Sequence, residues 1–442
     1  MNSRERMTVA LSGGRPDRVP VFLRDLTLGL DATGYTTTEV CAGAFDAEKS
    51  ARSVIALQRM LGHDAVVGSI QFCGMEVEPM GGRLTFPVWG VPSILEPPLH
   101  DPEAVERASC PDPQRDAPLS NMVRSYELVN QRIGTEVGVF GNIEGPLTKA
   151  GIVRGLDTLS LDLVTNRDIF EKVVRLSTNM ATDLSEALSK DGINLGIFLA
   201  SATDNPDLFG AEVYRHYTLP NLRRIVEAVR EDGYPTVFHP HGVFTADASA
   251  PLVDETLSTG ICGFQFAESN DLGAAKRRWG ERTCILGGVN AFTTLLLGPL
   301  DTIRAETARC LNSCSPGGGY VMMCSCSLHR GMPLDHVRAM VETCAARGDC
   351  KNGGGGPRER GELSAGGHRR RWDWAECPVC GHRYHLVQAR GTACRGCPSA
   401  PVCGMTRCPG CDTERPVGRP LAARLGRAVR GYRAQFGYTA HR

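Results

Sequence analysis

Pro235-Thr-Val-Phe-His239-Pro-His241-Gly-Val-Phe244 places two imidazoles one residue apart at the end of a short β-branched and aromatic run. Side chains two residues apart on a strand point to the same face, so this run delivers both rings to one side of a loop. Far downstream, Gly317-Gly-Gly-Tyr-Val-Met-Met-Cys324-Ser-Cys326-Ser-Leu-His329-Arg-Gly-Met-Pro333 is another apolar strand, and it ends in thiols. Two histidines and one cysteinate fill three of zinc's four tetrahedral positions and leave one open, which is the arrangement of a catalytic site. Isolated His and Cys residues are also common as packed core groups, so spacing by itself leaves metal binding and packing both open.

The chain has 442 residues, 42% of them hydrophobic, which is room for one large domain of about 250 to 350 residues plus a smaller one. It contains no run of eighteen apolar residues, and Met1-Asn-Ser-Arg-Glu-Arg is charged with no apolar segment behind it. Neither a membrane span nor a signal peptide is expected, and the expected location is cytoplasmic. Of the 18 cysteines, Cys377, Cys380, Cys394, Cys397, Cys403, Cys408 and Cys411 fall in one short segment while the rest are scattered. Scattered cysteines read as reduced core thiols, clustered ones as metal ligands. The net charge of zero conceals an asymmetry, because from Lys351 onward 17 Lys and Arg stand against 6 Asp and Glu. An acidic body and a basic tail are suited to meet each other, or the tail to meet an acidic partner.

Outward from the His239 run, the segments Val19–Leu23, Asp64–Gly68, Gly138–Gly141, Asn194–Leu199, Ile261–Phe266, Cys284–Leu286 and Tyr320–Met323 also read as short buried strands. Helical periodicity separates several of them: Val54, Ile55, Leu57, Met60 and Leu61 before Gly62; Leu222, Ile225, Val226 and Val229 after Pro220; Leu272 to Trp279; Asp301 to Cys314; and Val337, Met340, Val341 and Cys344 last. Strand then helix, eight times over, is the pattern of an α/β fold of the parallel (β/α)8 TIM-type barrel class. Chemistry in that architecture sits at the carboxyl ends of the strands. Polar residues fall there in succession: Asn142 and Glu144, Asp204 and Asn205, His239 and His241, Glu268 and Asn270, Asn290, and Cys326.

The segments Gly141-Asn-Ile-Glu-Gly-Pro-Leu-Thr148, Phe238-His-Pro-His-Gly242, Leu286-Gly-Gly-Val-Asn290 and Gly319-Tyr-Val-Met-Met-Cys-Ser-Cys326 resemble the uroporphyrinogen decarboxylase superfamily, over roughly residues 5–345 and in the right order. The resemblance implies the (β/α)8 barrel and one of two activities. One branch decarboxylates tetrapyrroles without a cofactor, and the other uses zinc to move a methyl group between a corrinoid protein and a thiol such as coenzyme M. The decarboxylases carry an arginine-rich signature after the first strand, where this chain has Val21-Phe-Leu-Arg24-Asp25-Leu26, and a histidine where Cys326 aligns. Glu76-Val-Glu78-Pro-Met-Gly81 is similar to a stretch of the methyltransferase branch. The resemblance therefore implies His239, His241 and Cys326 as barrel zinc ligands, although His241 stands where that branch has a cysteine. A neutral imidazole in place of a thiolate raises the site's charge by one unit. Glu144, Asp204 and Glu268 are candidates for supporting the ligands or supplying a fourth, and Asn142 and Asn290 for cofactor contacts. No Asp-x-His-x-x-Gly corrinoid motif occurs, so the corrinoid is expected on a partner protein.

Residues 1–347 are thus read as the barrel, 348–371 as a flexible Gly-rich linker, 372–415 as a Cys-rich, zinc-ribbon-like module and 416–442 as a basic amphipathic tail. Cys377-Pro-Val-Cys380 and Cys408-Pro-Gly-Cys411 are two Cys-Pro-x-Cys knuckles, strong signals for a four-cysteine zinc. Between them Cys394, Cys397 and Cys403 suit a second zinc or an iron–sulfur cluster, or remain spare thiols. Arg424, Arg427, Arg430 and Arg433 line the last helical stretch without an aromatic-rich face, so nucleic acid is not the expected partner.

The leading expectation is zinc-dependent methyl transfer between a partner's corrinoid and a small thiol. Two alternatives stand beside it: a decarboxylase of a tetrapyrrole or other carboxylated substrate, and a non-enzymatic corrinoid- or tetrapyrrole-binding protein. Hydrolysis ranks below these, because metal-dependent hydrolases need further strand-end histidines than His329 and His336 supply.

Overall fold

The computed structural model describes residues 1–348 and four short strands beyond them. The chain divides into two compact units, the larger built on Met1–Gly353 and the smaller on Gly354–Arg430. No helix among the described residues is long and apolar enough to cross a membrane.

In the larger unit, β1 (Phe22–Leu23) and β2 (Ala65–Val67) are followed by an antiparallel hairpin, β3 (Arg83–Thr85) and β4 (Ser93–Glu96). Then come β5 (Gly138–Glu144), β6 (Gly196–Ser201), β7 (Thr236–Pro240), β8 (Gly263–Gln265), β9 (Cys284–Val289) and β10 (Tyr320–Cys324). Apart from the hairpin, these strands form one parallel sheet in the order β1-β2-β5-β6-β7-β8-β9-β10. Parallel bridges from Val21 to Met322 and from Asp25 to Leu328 join its two ends, so the eight strands form a barrel. Ring closure leaves no edge in need of protection. The strands are buried almost throughout, as expected when helices cover the outside of a parallel sheet. Phe22, Phe140 and Phe198 help fill the interior, with ring centroids 4.8 Å and 5.6 Å apart from Phe22.

The helices follow local signals in the sequence. Asp46 caps Ala47–Leu61 by accepting from the Lys49 amide, and Gly62 ends it in the left-handed conformation at φ 69°. Leu222, Ile225, Val226 and Val229 form the buried stripe of Leu219–Glu231, and Leu272–Trp279 starts on an Asp271 cap. Between β5 and β6 the chain carries three helices, Pro146–Arg154, Leu156–Thr165 and the 25-residue Arg167–Asp191. The smaller unit contains two antiparallel ladders, β11 (Trp374–Glu376) with β12 (Arg383–His385) and β13 (Met405–Arg407) with β14 (Glu414–Pro416). In sequence each ladder flanks one Cys-Pro-x-Cys knuckle. The cysteines themselves (Cys377, Cys380, Cys394, Cys397, Cys403, Cys408 and Cys411), the linker expected beyond 348 and the basic tail expected beyond 416 lie outside the described residues.

At the amino ends of the strands Asp64 ties the N-terminal segment to the barrel. Its carboxylate is fully buried and accepts from Ser3 Oγ, Arg6 Nη1, both Arg18 Nη atoms and the Val21 amide, at 2.7 to 2.9 Å. Its neighbour His63 is also buried, its Nδ1 has no hydrogen-bond partner, and burial lowers its pKa to about 4 against a pull upward from Asp64. Between pH 4 and 6.5 the unfolded chain therefore binds a proton at this histidine that the folded chain does not. Stability from His63 is complete above pH 6.5 and falls as the pH drops toward 4, by up to about 3 kcal/mol. Urea midpoints measured from pH 7 to 4 should fall less steeply for His63→Leu than for the wild type. Parallel curves would show that His63 is not the source.

Candidate metal centre

β7 sends His239 into the barrel mouth, and His241 follows two residues later on the same side. The His241 amide donates to the Ser201 carbonyl at 3.2 Å, which extends the β6–β7 ladder past the formal end of the strand and fixes this alternation. Gly242 then turns the chain at φ 113°, where a Cβ would lie 2.4 Å from Asn205 Oδ1. The turn is held by Asp207, which accepts from the Val243 amide at 2.8 Å, and by Asn270, which accepts from the amides of Phe244 and Thr245. From across the barrel, the segment after β10 supplies Cys326, whose Sγ is 3.7 Å from His241 Nε2. One ligand atom from each of His239, His241 and Cys326 lies within 4.8 Å of the others, and all three residues are buried.

The electrostatics of this trio differ from those of ordinary core residues. Burial alone would raise the Cys326 thiol, but contacts with the two imidazoles hold it well below the usual thiol value. Cys324, two residues earlier, is pushed up to about 12 by burial. Burial depresses His239 to about 4, so this ring is neutral at physiological pH. For His241 the pull of Cys326, aided by Glu268, overcomes burial and raises the pKa. His239 Nδ1 faces the Gln265 carbonyl at 3.4 Å, while its Nε2 is buried with no hydrogen-bond partner. A buried ring nitrogen without a partner, beside a second imidazole and a stabilised thiolate, is the donor set of a borderline-soft divalent metal such as zinc. The residues present fit such an ion. Beyond Cys326, Ser327 Oγ is 3.8 Å from its sulfur and 3.0 Å from His329 Nε2, and His329 Nδ1 is 3.3 Å from Thr27 Oγ1.

The other expected site residues lie at the same rim, in different settings. Asn142 and Glu144 lie within β5, not after it. Asn142 Oδ1 accepts from Arg24 Nε at 2.7 Å, and its amide donates to the Tyr126 hydroxyl. Glu144 shares the buried Lys149 ammonium with Glu76. Asp204 accepts from the amides of Leu147 and Thr148 and from the hydroxyls of Thr148 and Thr218, anchoring the start of the helix Pro146–Arg154. Asn290 Oδ1 accepts from the amides of Phe292 and Thr293 at the start of a π-helical turn, Ala291–Leu296. Glu268 is exposed and lines, with Asn290, Glu306 and Ser325, a polar cavity of about 240 Å³. Sequence reasoning passed over Gln265 and Lys149, and it noted Arg24 and Glu76 only within stretches compared with the two branches of the family, without a role for either. A charged residue directly after a barrel strand was a usable signal for Arg24; nothing in the local sequence marked Lys149, which lies inside a helix.

Residues 2–347 match the uroporphyrinogen decarboxylase (URO-D) family. The chain is 25% identical over 343 residues to the methylcobamide:CoM methyltransferase MtaA of Methanosarcina barkeri, covering 76% of this chain and 95% of that protein. It is 23% identical over 275 residues to the uroporphyrinogen decarboxylase of Alkalilimnicola ehrlichii, covering 60% and 72% respectively. A solved structure, a methyltransferase from Methanosarcina mazei, shares the fold with a TM-score of 0.68 at 22% identity, covering 78% of this chain and 99% of that one. The family match takes in every strand of the barrel and all three residues of the buried trio, and the chain belongs to the uroporphyrinogen decarboxylase family.

Proposed function

We propose that this protein is a zinc-dependent methyltransferase that moves a methyl group between a corrinoid carried by a partner protein and the sulfur of a small thiol. The observation that carries this reading is the buried convergence of His239, His241 and Cys326 at the carboxyl end of the barrel. The relatives named as methylcobamide:CoM methyltransferases support it. Zinc held by these three residues would act as a Lewis acid that makes a thiol at the same site far more acidic.

The chain's own groups prepare that chemistry. The Gln265 carbonyl faces His239 Nδ1, which favours the tautomer with its proton there and leaves Nε2 as the donor. Burial keeps His239 neutral, and therefore able to ligate, at any pH well above about 4. The two imidazoles stabilise the Cys326 thiolate, so no proton has to leave that sulfur first. Burial of all three screens the protein's own donors from bulk water. Of the other rim residues, Glu268 is placed to bias His241 through its charge. Glu144 and Asp204 act by holding Lys149 and the helix Pro146–Arg154, with Asn142 and Asn290 in similar supporting places.

In the smaller unit, the ladders β11–β12 and β13–β14 flank Cys377/Cys380 and Cys408/Cys411 in sequence, which supports a four-cysteine zinc ribbon. Cys394, Cys397 and Cys403 would form a second site, for zinc or an iron–sulfur cluster.

Two measurements test these assignments. The full-length chain should bind at least one metal ion more than a fragment ending near residue 350, and that fragment should keep one. A metal-free fragment would count against the barrel site, and equal metal in both against the ribbon. Methyl transfer from methylcobalamin to a panel of thiols is the second. Cys326→Ser should leave the fold intact, strip the barrel metal and reduce transfer by about 100-fold or more. His241→Cys should keep the metal and change the ranking of thiols without abolishing transfer. Full barrel metal in Cys326→Ser would show the site to be misassigned, and decarboxylation of a carboxylated substrate by the metal-free variant would favour the decarboxylase reading.

A further inference from the structure

The members of the trio are held in two different ways. His239 lies within β7 and the His241 amide is paired with the Ser201 carbonyl, so the sheet itself places both imidazoles. Cys326 lies past the end of β10. The Ser325 amide donates to the Val289 carbonyl at 2.8 Å as the ladder runs out, and from Cys326 onward the chain is a strap along the turn that follows β1. Leu328 exchanges backbone hydrogen bonds with that turn: its amide donates to the Arg24 carbonyl at 2.9 Å and its carbonyl accepts from the Leu26 amide at 3.0 Å. Beyond Leu328 the strap is fastened through Arg330 and Gly331.

The Arg330 side chain is 4% exposed, and its guanidinium makes four hydrogen bonds. Nε and Nη2 donate to Asp31 Oδ1 at 3.0 and 2.8 Å, Nη2 also to the Tyr35 carbonyl at 3.0 Å, and Nη1 to Thr37 Oγ1 at 3.1 Å. The Arg330 amide donates to Thr27 Oγ1 at 3.1 Å, and the Gly331 amide to Asp31 Oδ2 at 2.7 Å, so Asp31 grips the strap with both carboxylate oxygens. The Trp89 ring lies over the guanidinium at 4.6 Å. Trp89 is at the tip of the β3–β4 hairpin and is 66% exposed on its outer side. Thr37 pins that tip, its amide donating to the Val88 carbonyl at 3.0 Å and its hydroxyl to the Gly90 carbonyl at 2.6 Å. A buried cation with a carboxylate, two neutral acceptors and an aromatic face cannot shift without giving up several charge-assisted contacts at once. Arg330 therefore locks together the strap that carries Cys326, the short helix Gly29–Thr33 and the hairpin inserted after β2.

We infer that Arg330, clamped between Asp31 and Trp89, is the positioning residue of the metal centre: it fixes the strap so that the Cys326 sulfur stands where the two imidazoles converge. The sheet holds the nitrogen donors, and this clamp holds the sulfur. Groups that orient a metal ligand from behind set the affinity of the site, because a donor free to wander must be ordered each time the ion binds. The inference rests on the metal reading proposed above; Arg330 acts through Cys326 and takes no part in bond making.

Chelator competition on the full-length, zinc-loaded protein tests it, the barrel site being the class of zinc that Cys326→Ser removes. Arg330→Gln should weaken that class by about 10- to 100-fold and Asp31→Asn by a similar factor, while Arg330→Lys, which keeps the charge but not the fork, should weaken it less. The double variant Arg330→Gln/Asp31→Asn should bind barrel zinc no more weakly than the worse single variant, because both changes open one clamp. Trp89→Ala, which leaves the ion pair in place, should weaken it by about threefold. The buried pair Arg154–Asp162, 2.7 Å apart between two other helices, is the control for stability alone. Arg154→Gln should lower the urea midpoint of the metal-free protein and leave barrel-zinc affinity within about twofold of the wild type. Unchanged affinity in Arg330→Gln or, should that variant not fold, in both Arg330→Lys and Trp89→Ala, overturns the positioning role while leaving the metal reading in place. So does an equal loss of affinity in Arg154→Gln. If Cys326→Ser removes no class of zinc, the metal centre itself is misassigned, and the clamp with it.

Discussion

Closure of the barrel is the constraint on which the site depends. His241 and Cys326 are 85 residues apart, and β7 and β10 are separated in the sheet by β8 and β9. No local segment can bring their ends together. The bridges between β1 and β10 bend the sheet into a ring, and across the mouth of that ring the ends of β7 and β10 face each other. Strand alternation does the rest, since it turns His239 and His241 to the same side. Of the trio, His239 Nε2 is the buried atom left without a hydrogen-bond partner, and that opposes folding unless something occupies the space beside it.

The rim around the trio is a set of buried charges, most of which answer one another. Lys149 joins Glu76 and Glu144, and this pairing raises its pKa despite burial that would lower it. Asp204 is raised by burial, yet its four hydrogen bonds show a carboxylate committed to anchoring a helix. Arg24 and Asp204 are held by neutral groups instead, Arg24 by the Asn142 side chain.

Much of this was legible in the sequence. The strand runs around Asp64, Gly138, His239, Cys284 and Tyr320 sit where β2, β5, β7, β9 and β10 lie, because buried parallel strands are short, apolar and bounded by turns. The x-His-x-His-Gly end of β7 and the Cys-x-Cys end of β10 pointed to a shared metal, and the structure brings His239, His241 and Cys326 together. The β3–β4 hairpin and the three helices between β5 and β6 were not anticipated, since insertions at the rim carry no mark of the eightfold repeat. The roles of Asp204 and Asn290 were also hidden: the same Asp or Asn serves as a helix cap or a ligand support, and only its hydrogen-bond partners distinguish the two. Nothing in the sequence around Lys149 marks its pairing with Glu76, which lies 73 residues earlier.

The central claim is that the trio is a metal centre with one sulfur donor from the protein and room for a second from the substrate. Zinc-edge X-ray absorption on the full-length chain, with Cys377, Cys380, Cys394, Cys397, Cys403, Cys408 and Cys411 replaced by serine, measures this directly. The account predicts one sulfur and the remainder nitrogen or oxygen around the barrel zinc, and a second sulfur when a thiol is added. A zinc shell without sulfur, or one whose sulfur count does not change with thiol, would contradict it.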